Sequence, residues 1–150
     1  MIQLNLDDMN KVITIAKQAG DKIMQIYQKD FSVEYKEDQS PITEADLASH
    51  HLICAELKRL YPVIPILSEE SADTFTLIDE NASFWCVDPL DGTKEFIKKN
   101  DEFTVNITLI QNQQPILGVI CVPAKNMIYA AVKGEGAFKQ HGDNELQTIQ

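Results

Sequence analysis

Residues 84–93 read Phe84-Trp-Cys-Val-Asp-Pro-Leu-Asp-Gly-Thr93, an apolar run that stops at a carboxylate. We predict a short buried strand that stops at Asp88, so that Asp88 and Asp91 lie at its carboxyl end. The proline stiffens the backbone between them, and the glycine allows a tight turn. Thr93 can begin a short helix, whose first N–H groups would suit a phosphate. The stretch therefore predicts a sheet edge that offers both carboxylates and N–H donors.

The residues that follow this stretch read as further strands. Residues 105–109 alternate between aliphatic and polar side chains, which is typical of a half-buried strand. A polar turn at 111–114 separates this strand from an apolar run at 116–122, and a third run covers 127–132. Glycines after the third run predict its end.

The N-terminal half reads mainly as two helices. Apolar side chains recur at three- and four-residue spacing after Asp7 and Asp8, and a second helix is predicted from Thr43 to Tyr61. A half-buried strand is predicted between them, around residues 31–36. Two helices followed by a run of strands predict an α+β fold, with helices packed on a mostly antiparallel sheet.

A second acidic pair follows a second buried run. Residues 68–71 read Ser-Glu-Glu-Ser and come directly after Ile66-Leu67. Carboxylates at two strand ends can build an oxygen-only cage, which Mg²⁺ prefers. The alternative to a metal site is a turn in which Asp88 and Asp91 merely cap backbone N–H groups.

Residues 69–82 are polar and show no hydrophobic period, which predicts a mobile loop.

Thr43 and Asp46 have the spacing of a capping box at the start of the second helix. On its own this pattern predicts a helix cap and assigns no catalytic role to either residue. His50 and His51 are adjacent, so they point about 100° apart on a helix and cannot share a metal ion. We assign no catalytic role to either of them, or to His141.

Charge and cysteine content narrow the classes of function. Lys plus Arg is 13 and Asp plus Glu is 23, so the formal charge is 13 − 23 = −10 over 150 residues. Such a surface repels nucleic acid, and an anionic ligand would need a cation to bridge it. Cys54, Cys86 and Cys121 lack a metal-binding spacing, and we predict that all three are buried and reduced. No basic leader precedes an apolar core at the N-terminus, and no apolar stretch reaches the roughly 18 residues of a membrane span, which predicts a cytoplasmic protein.

Together these elements resemble the inositol monophosphatase superfamily of magnesium-dependent phosphatases. Residues 85–107, from Trp-Cys-Val-Asp-Pro-Leu-Asp-Gly-Thr-Lys-Glu-Phe onward, are similar to its CysQ-type branch, the 3′(2′),5′-bisphosphate nucleotide phosphatases. Residues 40–46, 67–70 and 118–123, together with Met127, Tyr129 and Ala130, also match that branch. Inositol-specific members tend to have Thr-Asn-Phe after Asp-Gly-Thr, where this chain has Lys-Glu-Phe at 94–96.

The resemblance implies a set of Mg²⁺ ligands. Asp88 corresponds to the carboxylate that is shared between metal ions, and the Leu90 carbonyl corresponds to a ligand of the first ion. Asp91 corresponds to a ligand of the second ion. Glu69 corresponds to a carboxylate ligand that also orients the attacking water.

The resemblance also implies catalytic and substrate-binding roles. Thr93 corresponds to the hydroxyl that positions the attacking water, with Asp46 behind it as its partner. The backbone N–H groups of Gly92 and Thr93 correspond to a phosphate cradle. The implied catalytic residues are Asp46, Glu69 and Thr93, and the implied substrate-binding residues are Glu69, Leu90, Asp91, Gly92 and Thr93.

The activity implied is removal of the 3′-phosphate from 3′-phosphoadenosine 5′-phosphate, which gives AMP. Two alternatives stay open, an inositol monophosphatase and a metal- and phosphate-binding fragment without turnover. The resemblance implies that residues 1–150 are the N-terminal α+β domain, and that the family's C-terminal α/β domain is absent from this chain. We expect such a domain to fold, to turn over poorly and to self-associate through the surface that the second domain would cover. The resemblance leaves peripheral association with the inner membrane open.

Overall fold

The structure, a computed structural model, describes residues 3–29, 33–36, 41–70 and 82–149. These residues form three helices and nine strands, joined by turns and one short 3₁₀ helix. In chain order they are α1 (Leu6–Tyr27), β1 (Val33–Tyr35), β2 (Pro41–Thr43), α2 (Glu44–Leu60), β3 (Ile66–Ser68), β4 (Ser83–Asp91), α3 (Thr93–Lys98), β5 (Thr104–Gln111), β6 (Gln114–Val122), β7 (Met127–Val132), β8 (Gly136–His141) and β9 (Gln147–Thr148).

Seven strands form one sheet in the order β3-β4-β5-β6-β7-β8-β9, while β1 and β2 form a separate hairpin. Only β3 and β4 pair in parallel within the described sheet, and every other neighbouring pair is antiparallel. Helix α1 packs against β5, β6 and β7, and α2 packs against β4. The predicted α+β class with a mostly antiparallel sheet is confirmed.

Both long helices begin with a reciprocal cap. Asn5 caps α1 by accepting a hydrogen bond from the Asp8 N–H, and the Asp8 carboxylate accepts one from the Asn5 N–H. Thr43 and Asp46 form the same arrangement at the start of α2, as the spacing predicts. The apolar residues that recur along α1 turn toward the sheet, and its buried members include Met9, Val12, Ile13, Ala16, Ala19 and Ile23.

The core lies between the helices and one face of the sheet. On β5 the buried residues are Val105, Ile107 and Leu109, which alternate with polar side chains as predicted. The opposite face of the sheet is open among the described residues, and it presents Ile120 and Tyr129 with 45% and 41% of their surfaces exposed. A shallow apolar groove of about 860 Å³ runs along this open face.

The C-terminal strands differ from prediction in two ways. Strand β4 does not stop at Asp88, because pairing with β5 resumes at Asp91 after an irregularity. Strands β8 and β9 were not predicted, since their side chains are largely polar and lack an apolar alternation. The predicted end of the third run is confirmed, since β7 ends at Val132; Gly134 and Gly136, with φ of +87° and +97°, lie where the chain reverses into β8.

The prediction of three buried cysteines is wrong for Cys86, which is exposed, while Cys54 is half-buried and Cys121 is buried. Trp85 and Val87 point into the core, so the alternation of β4 turns Cys86 to the open face. The predicted strand start at residues 31–32 and most of the predicted loop at 69–82 lie outside the described residues. No helix in the described part of the chain has the length and apolar character needed to cross a membrane.

Candidate metal and phosphate site

The carboxylates singled out in the sequence meet at one cleft of about 400 Å³. The cleft lies beside the carboxyl ends of β3 and β4, where α3 begins. Its lining residues are Lys36, Glu69, Glu70, Asp88, Leu90, Asp91, Gly92, Thr93, Lys94 and Glu95. Every residue given a metal or substrate role by the resemblance is in this set. Asp46, the remaining site residue, is buried behind Thr93.

Parallel pairing brings Glu69 beside Asp88. Ser68 is in register with Val87, and the Glu69 N–H donates to the Val87 carbonyl at 3.0 Å. Because parallel strands end at the same edge of a sheet, the residues that follow each strand become neighbours. The expectation that two strand ends present carboxylates to one place is confirmed for this pair.

A bulge in β4 explains how Asp88 and Asp91 reach the same cleft. In a regular strand two residues an odd number of positions apart point to opposite faces. Asp88 is opposite Asn106 and Asp91 is opposite Thr104, so three steps on β4 match two steps on β5. One extra residue therefore restores the parity, and both carboxylates face the cleft.

Burial and mutual repulsion in the cleft disfavour the ionised form of its carboxylates. Burial, followed by the negative charges of Asp91 and Glu69, raises the pKa of Asp88 to about 6. Burial also raises the pKa of Glu70, although Lys36 lies 3.1 Å from its carboxylate and opposes that shift. The Asn106 amide donates to Asp91 at 3.3 Å. Bringing in a cation would relieve the repulsion that Asp88 experiences.

The donor set is chemically suited to a hard cation, but it is not a closed cage. The cleft offers carboxylate and carbonyl oxygens and no sulfur or imidazole ligand among its lining residues. Within the described ranges, no three His, Cys, Asp or Glu side chains are grouped closely enough to hold a metal ion. An open oxygen donor set is compatible with Mg²⁺, which usually keeps several waters among its ligands.

Asp46 serves both the helix cap and the cleft. Its Oδ2 accepts hydrogen bonds from the Thr43 N–H at 2.8 Å and the Thr43 hydroxyl at 2.7 Å. Its Oδ1 accepts a hydrogen bond from the Thr93 hydroxyl at 2.9 Å. The carboxylate is 1% exposed, so the cap fixes its orientation toward Thr93. The capping interpretation and the predicted Asp46–Thr93 pair are therefore compatible.

Gly92 adopts a conformation that other residues rarely take. It caps α3 with φ of +91°, and a Cβ at this position would lie 3.0 Å from the Glu102 carbonyl oxygen. The Gly92 carbonyl accepts the Phe96 N–H at 2.9 Å, which closes the first turn of α3. The predicted helix start at Thr93 is confirmed, and its first residues lie at the cleft.

Sequence reasoning missed the basic and supporting residues around the cleft. Lys36 reaches Glu70 from 34 residues away, a separation at which no local pattern signals contact. His50 was given no role, yet its Nδ1 lies 2.8 Å from the Ser68 hydroxyl. Ser49 was not singled out, and its hydroxyl donates to the Pro89 carbonyl at 2.7 Å.

Residues 5–150 match the model of the inositol monophosphatase family, and the chain belongs to that family. It is 46% identical over 140 residues to the 3′(2′),5′-bisphosphate nucleotidase CysQ of Shigella flexneri, covering 92% of this chain and 57% of the relative. The predicted resemblance to the CysQ type is thus confirmed.

Solved structures agree with this assignment. The crystal structure of CysQ from Bacteroides thetaiotaomicron is 42% identical, with a TM-score of 0.76 over 96% of this chain and 55% of that one. An IMPase/NADP phosphatase complexed with Mg²⁺ and phosphate is 26% identical, with a TM-score of 0.75 over 89% of this chain and 51% of that one. The chain spans about half the length of the relatives that it matches.

Proposed function

We propose that this chain carries the metal- and phosphate-binding site of a Mg²⁺-dependent phosphatase. Its reaction would remove the 3′-phosphate from 3′-phosphoadenosine 5′-phosphate, giving AMP and phosphate. The observation that supports this most is the convergence of Glu69, Asp88 and Asp91 on one cleft beside the Thr93–Asp46 hydrogen bond. The similarity to proteins named 3′(2′),5′-bisphosphate nucleotidase supports the choice of substrate.

The cation would be held by oxygen atoms at the two strand ends. Glu69, Asp88 and Asp91 would supply carboxylates, and Leu90 would supply its backbone carbonyl. Mg²⁺ bound there supplies charge neutralisation for the phosphate and lowers the pKa of a coordinated water. The raised pKa of Asp88 fits this assignment, because a cation restores the ionised form that burial and neighbouring charges disfavour.

The chain's own residues would orient the water and the phosphate. Since the Thr93 hydroxyl donates its hydrogen to Asp46, its oxygen lone pairs can accept a hydrogen bond from an incoming water. Asp46 is in turn held by its two bonds from Thr43, so the direction of the Thr93 hydroxyl is fixed. Glu69, on the adjoining strand end, would orient the same water. The N–H groups of Gly92 and Thr93 would contact the phosphate oxygens.

The rim of the cleft favours a nucleotide over an inositol phosphate. Lys94 and Glu95 line the cleft at the positions where inositol-specific members of the superfamily tend to have Thr and Asn. We also propose that the partner is a small phosphorylated nucleotide and that the protein works in the cytoplasm. The formal charge of −10 supports a small cation-bridged ligand over nucleic acid.

Phosphate release tests the proposed reaction. The 150-residue chain would be assayed with 3′-phosphoadenosine 5′-phosphate and with inositol 1-phosphate, each with and without Mg²⁺. We expect slow, Mg²⁺-dependent release that favours the nucleotide, and a Lys94→Thr/Glu95→Asn variant with a reduced preference. Faster release from inositol phosphate would favour the inositol monophosphatase alternative.

The second alternative, a fragment that binds without turnover, needs its own measurement. Calorimetry with Mg²⁺ and inorganic phosphate would accompany the release assay. Binding of both ligands without release from either substrate would favour this alternative, since it would separate binding from catalysis. Absence of Mg²⁺ binding would overturn the proposed function altogether.

A further inference from the structure

One side of α2 forms hydrogen bonds with all three elements that carry the cleft. Asp46 bonds to Thr93 at the start of α3, Ser49 bonds to Pro89 in β4, and His50 bonds to Ser68 at the end of β3. Positions 46, 49 and 50 are spaced by three and four residues, so they lie on the same side of a helix. The helix therefore bonds to the residues directly next to Glu69, Asp88 and Leu90, and to Thr93, which lies two residues after Asp91.

Ser49 compensates for the bulge in β4. Pairing of β4 with β5 breaks between Asp88 and Asp91, which takes Pro89 and Leu90 out of the regular ladder. The Ser49 hydroxyl is completely buried and donates to the Pro89 carbonyl at 2.7 Å. A buried carbonyl needs a hydrogen-bond partner, and this one is supplied by a helix 40 residues away in the chain. The bond fixes the segment between the two aspartates.

His50 acts on the other strand end. Its Nδ1 lies 2.8 Å from the hydroxyl of Ser68, which is 4% exposed. The same hydroxyl lies 3.4 Å from the Glu70 N–H, which donates to it. Ser68 directly precedes Glu69, so the histidine fixes the backbone from which Glu69 departs. Cys54 is also near, with its sulfur 3.7 Å from Nδ1.

We propose that Ser49 and His50 are positioning residues that set the separation between the Glu69 and Asp88–Asp91 strand ends. Neither side chain is among the residues that line the cleft. Each acts on the ligands through Pro89 or Ser68, and loss of either bond lets one strand end shift relative to the other. The inference rests on the proposed metal site, because it concerns the affinity of that site for Mg²⁺.

Two variants and two matched controls test this proposal. Ser49→Ala and His50→Ala each remove one bond from α2 to a strand end. Ser83→Ala removes a comparable hydroxyl, which bonds to Gln111 at 2.8 Å at the opposite end of β4. His141→Ala removes an exposed histidine on β8, outside the lining of the cleft. The full 150-residue chain is used throughout.

The readouts are Mg²⁺ affinity by calorimetry and urea unfolding followed by the fluorescence of the single tryptophan, Trp85. We expect Ser49→Ala and His50→Ala to weaken Mg²⁺ binding about tenfold each, as loss of supporting bonds around metal ligands typically does. Ser83→Ala and His141→Ala keep the affinity of the parent. The side-chain amide of His50→Gln can still bond to Ser68, so this variant should recover most of the Mg²⁺ affinity that His50→Ala loses. The comparison of His50→Ala with His50→Gln also tests the proposal if Ser49→Ala fails to fold.

Three results would overturn the inference. The first is a parent-like Mg²⁺ affinity in both Ser49→Ala and His50→Ala, even if their unfolding free energies fall, because that would indicate a purely structural role. The second is an equal loss of affinity in the two controls. The third is a parent chain that binds no Mg²⁺. That result overturns both the proposed function and this inference, whereas the first two results overturn the inference alone.

Discussion

Asp88 lies where several negative charges approach one another, and its pKa of about 6 records how unfavourable its ionisation is there. Burial contributes most, and Asp91 and Glu69 add repulsion. Cys86, two residues earlier, is exposed as a residue, but partial desolvation of its thiol, followed by the charges of Glu69 and Asp88, raises its pKa. At the residue scale, then, the arrangement that forms the cleft lowers the stability of the metal-free protein.

Replacing this aspartate should stabilise the metal-free protein at neutral pH. Asp88 has a folded pKa above its ordinary value of 3.8, so the folded state binds the extra proton and stability falls as pH rises through about 6. We expect Asp88→Asn to unfold with a free energy about 1 kcal/mol higher than the parent at pH 7, a value that allows for solvent screening. The gain should disappear near pH 4, and the variant should lose most of its Mg²⁺ affinity.

Urea unfolding of the parent and Asp88→Asn from pH 4 to pH 7.5 without metal measures this difference. A difference that stays constant across the range would contradict the raised pKa. A variant that binds Mg²⁺ as tightly as the parent would remove Asp88 from the proposed ligands.

Gly92 and Gly134 offer a matched pair for testing the turn at the cleft. Both have positive φ, but a Cβ on Gly92 would meet the Glu102 carbonyl at 3.0 Å, whereas a Cβ on Gly134 would meet nothing within 4 Å. We expect Gly134→Ala to cost about 1 kcal/mol of unfolding free energy from backbone conformation alone. Gly92→Ala should cost at least about 1 kcal/mol more, because the contact is added to the same backbone penalty. Equal losses in urea unfolding would show that the close approach to Glu102 does not matter.

At the scale of elements, the helices and central strands were predicted because each repeats a simple apolar period. Helix α2 begins and ends where its cap and period indicate, and β5 alternates as its sequence requires. The end of β4 was not predicted, since where a strand resumes after a bulge depends on how β4 pairs with β5. Strand β8 was missed because it pairs mainly through its backbone and carries polar residues such as Lys139 and Gln140.

The candidate site, too, was predicted from the sequence only in part. Two acidic strand ends and the capping spacing of Asp46 could be seen in the residues themselves. The individual roles of Glu69 and Thr93 came from the family resemblance and stay predictions. Lys36 and Ser49 act over 34 and 40 residues, so only the folded structure brings Lys36 to the cleft and Ser49 to the Pro89 carbonyl behind it.

The two capping boxes allow a prediction for whole elements. Asn5→Ala and Thr43→Ala each remove the cap of a long helix and should each cost about 1–2 kcal/mol of unfolding free energy. Only Thr43→Ala should also reduce Mg²⁺-dependent phosphate binding, because Thr43 orients Asp46 toward Thr93. Urea unfolding and calorimetry on both variants provide the comparison. Similar phosphate binding in the two variants would contradict the dual role of Asp46.

At the scale of the whole molecule, the sheet is covered on one side only within the described residues. The helices cover the face that carries Val105 and Val119 in the core, while the other face leaves an apolar groove of about 860 Å³. Apolar surface of this kind is unusual on a monomer and favours association. The formal charge of −10 opposes association of like molecules, and added salt screens that repulsion.

The open face predicts self-association of the 150-residue chain. Ile120 and Tyr129 are paired across β6 and β7 and are both exposed there. We expect the sedimentation coefficient of the parent to rise with protein concentration, and Ile120→Lys to abolish that rise by placing a charge on the groove. Val63→Lys, at an 88% exposed position in the α2–β3 connection, is the control and should behave as the parent does. A parent coefficient that does not depend on concentration would contradict this prediction.

We expect the cleft between the ends of β3 and β4 to bind a divalent cation together with phosphate. The most direct test is a crystal of the chain grown with Mn²⁺, in place of Mg²⁺, and inorganic phosphate, with an anomalous difference map calculated at the manganese edge. We expect a peak in direct coordination with Asp88, Asp91 and Glu69, with phosphate against the N–H groups of Gly92 and Thr93. A map without a peak in this cleft, or with its peak at another acidic surface, would show that the cleft is not the cation site.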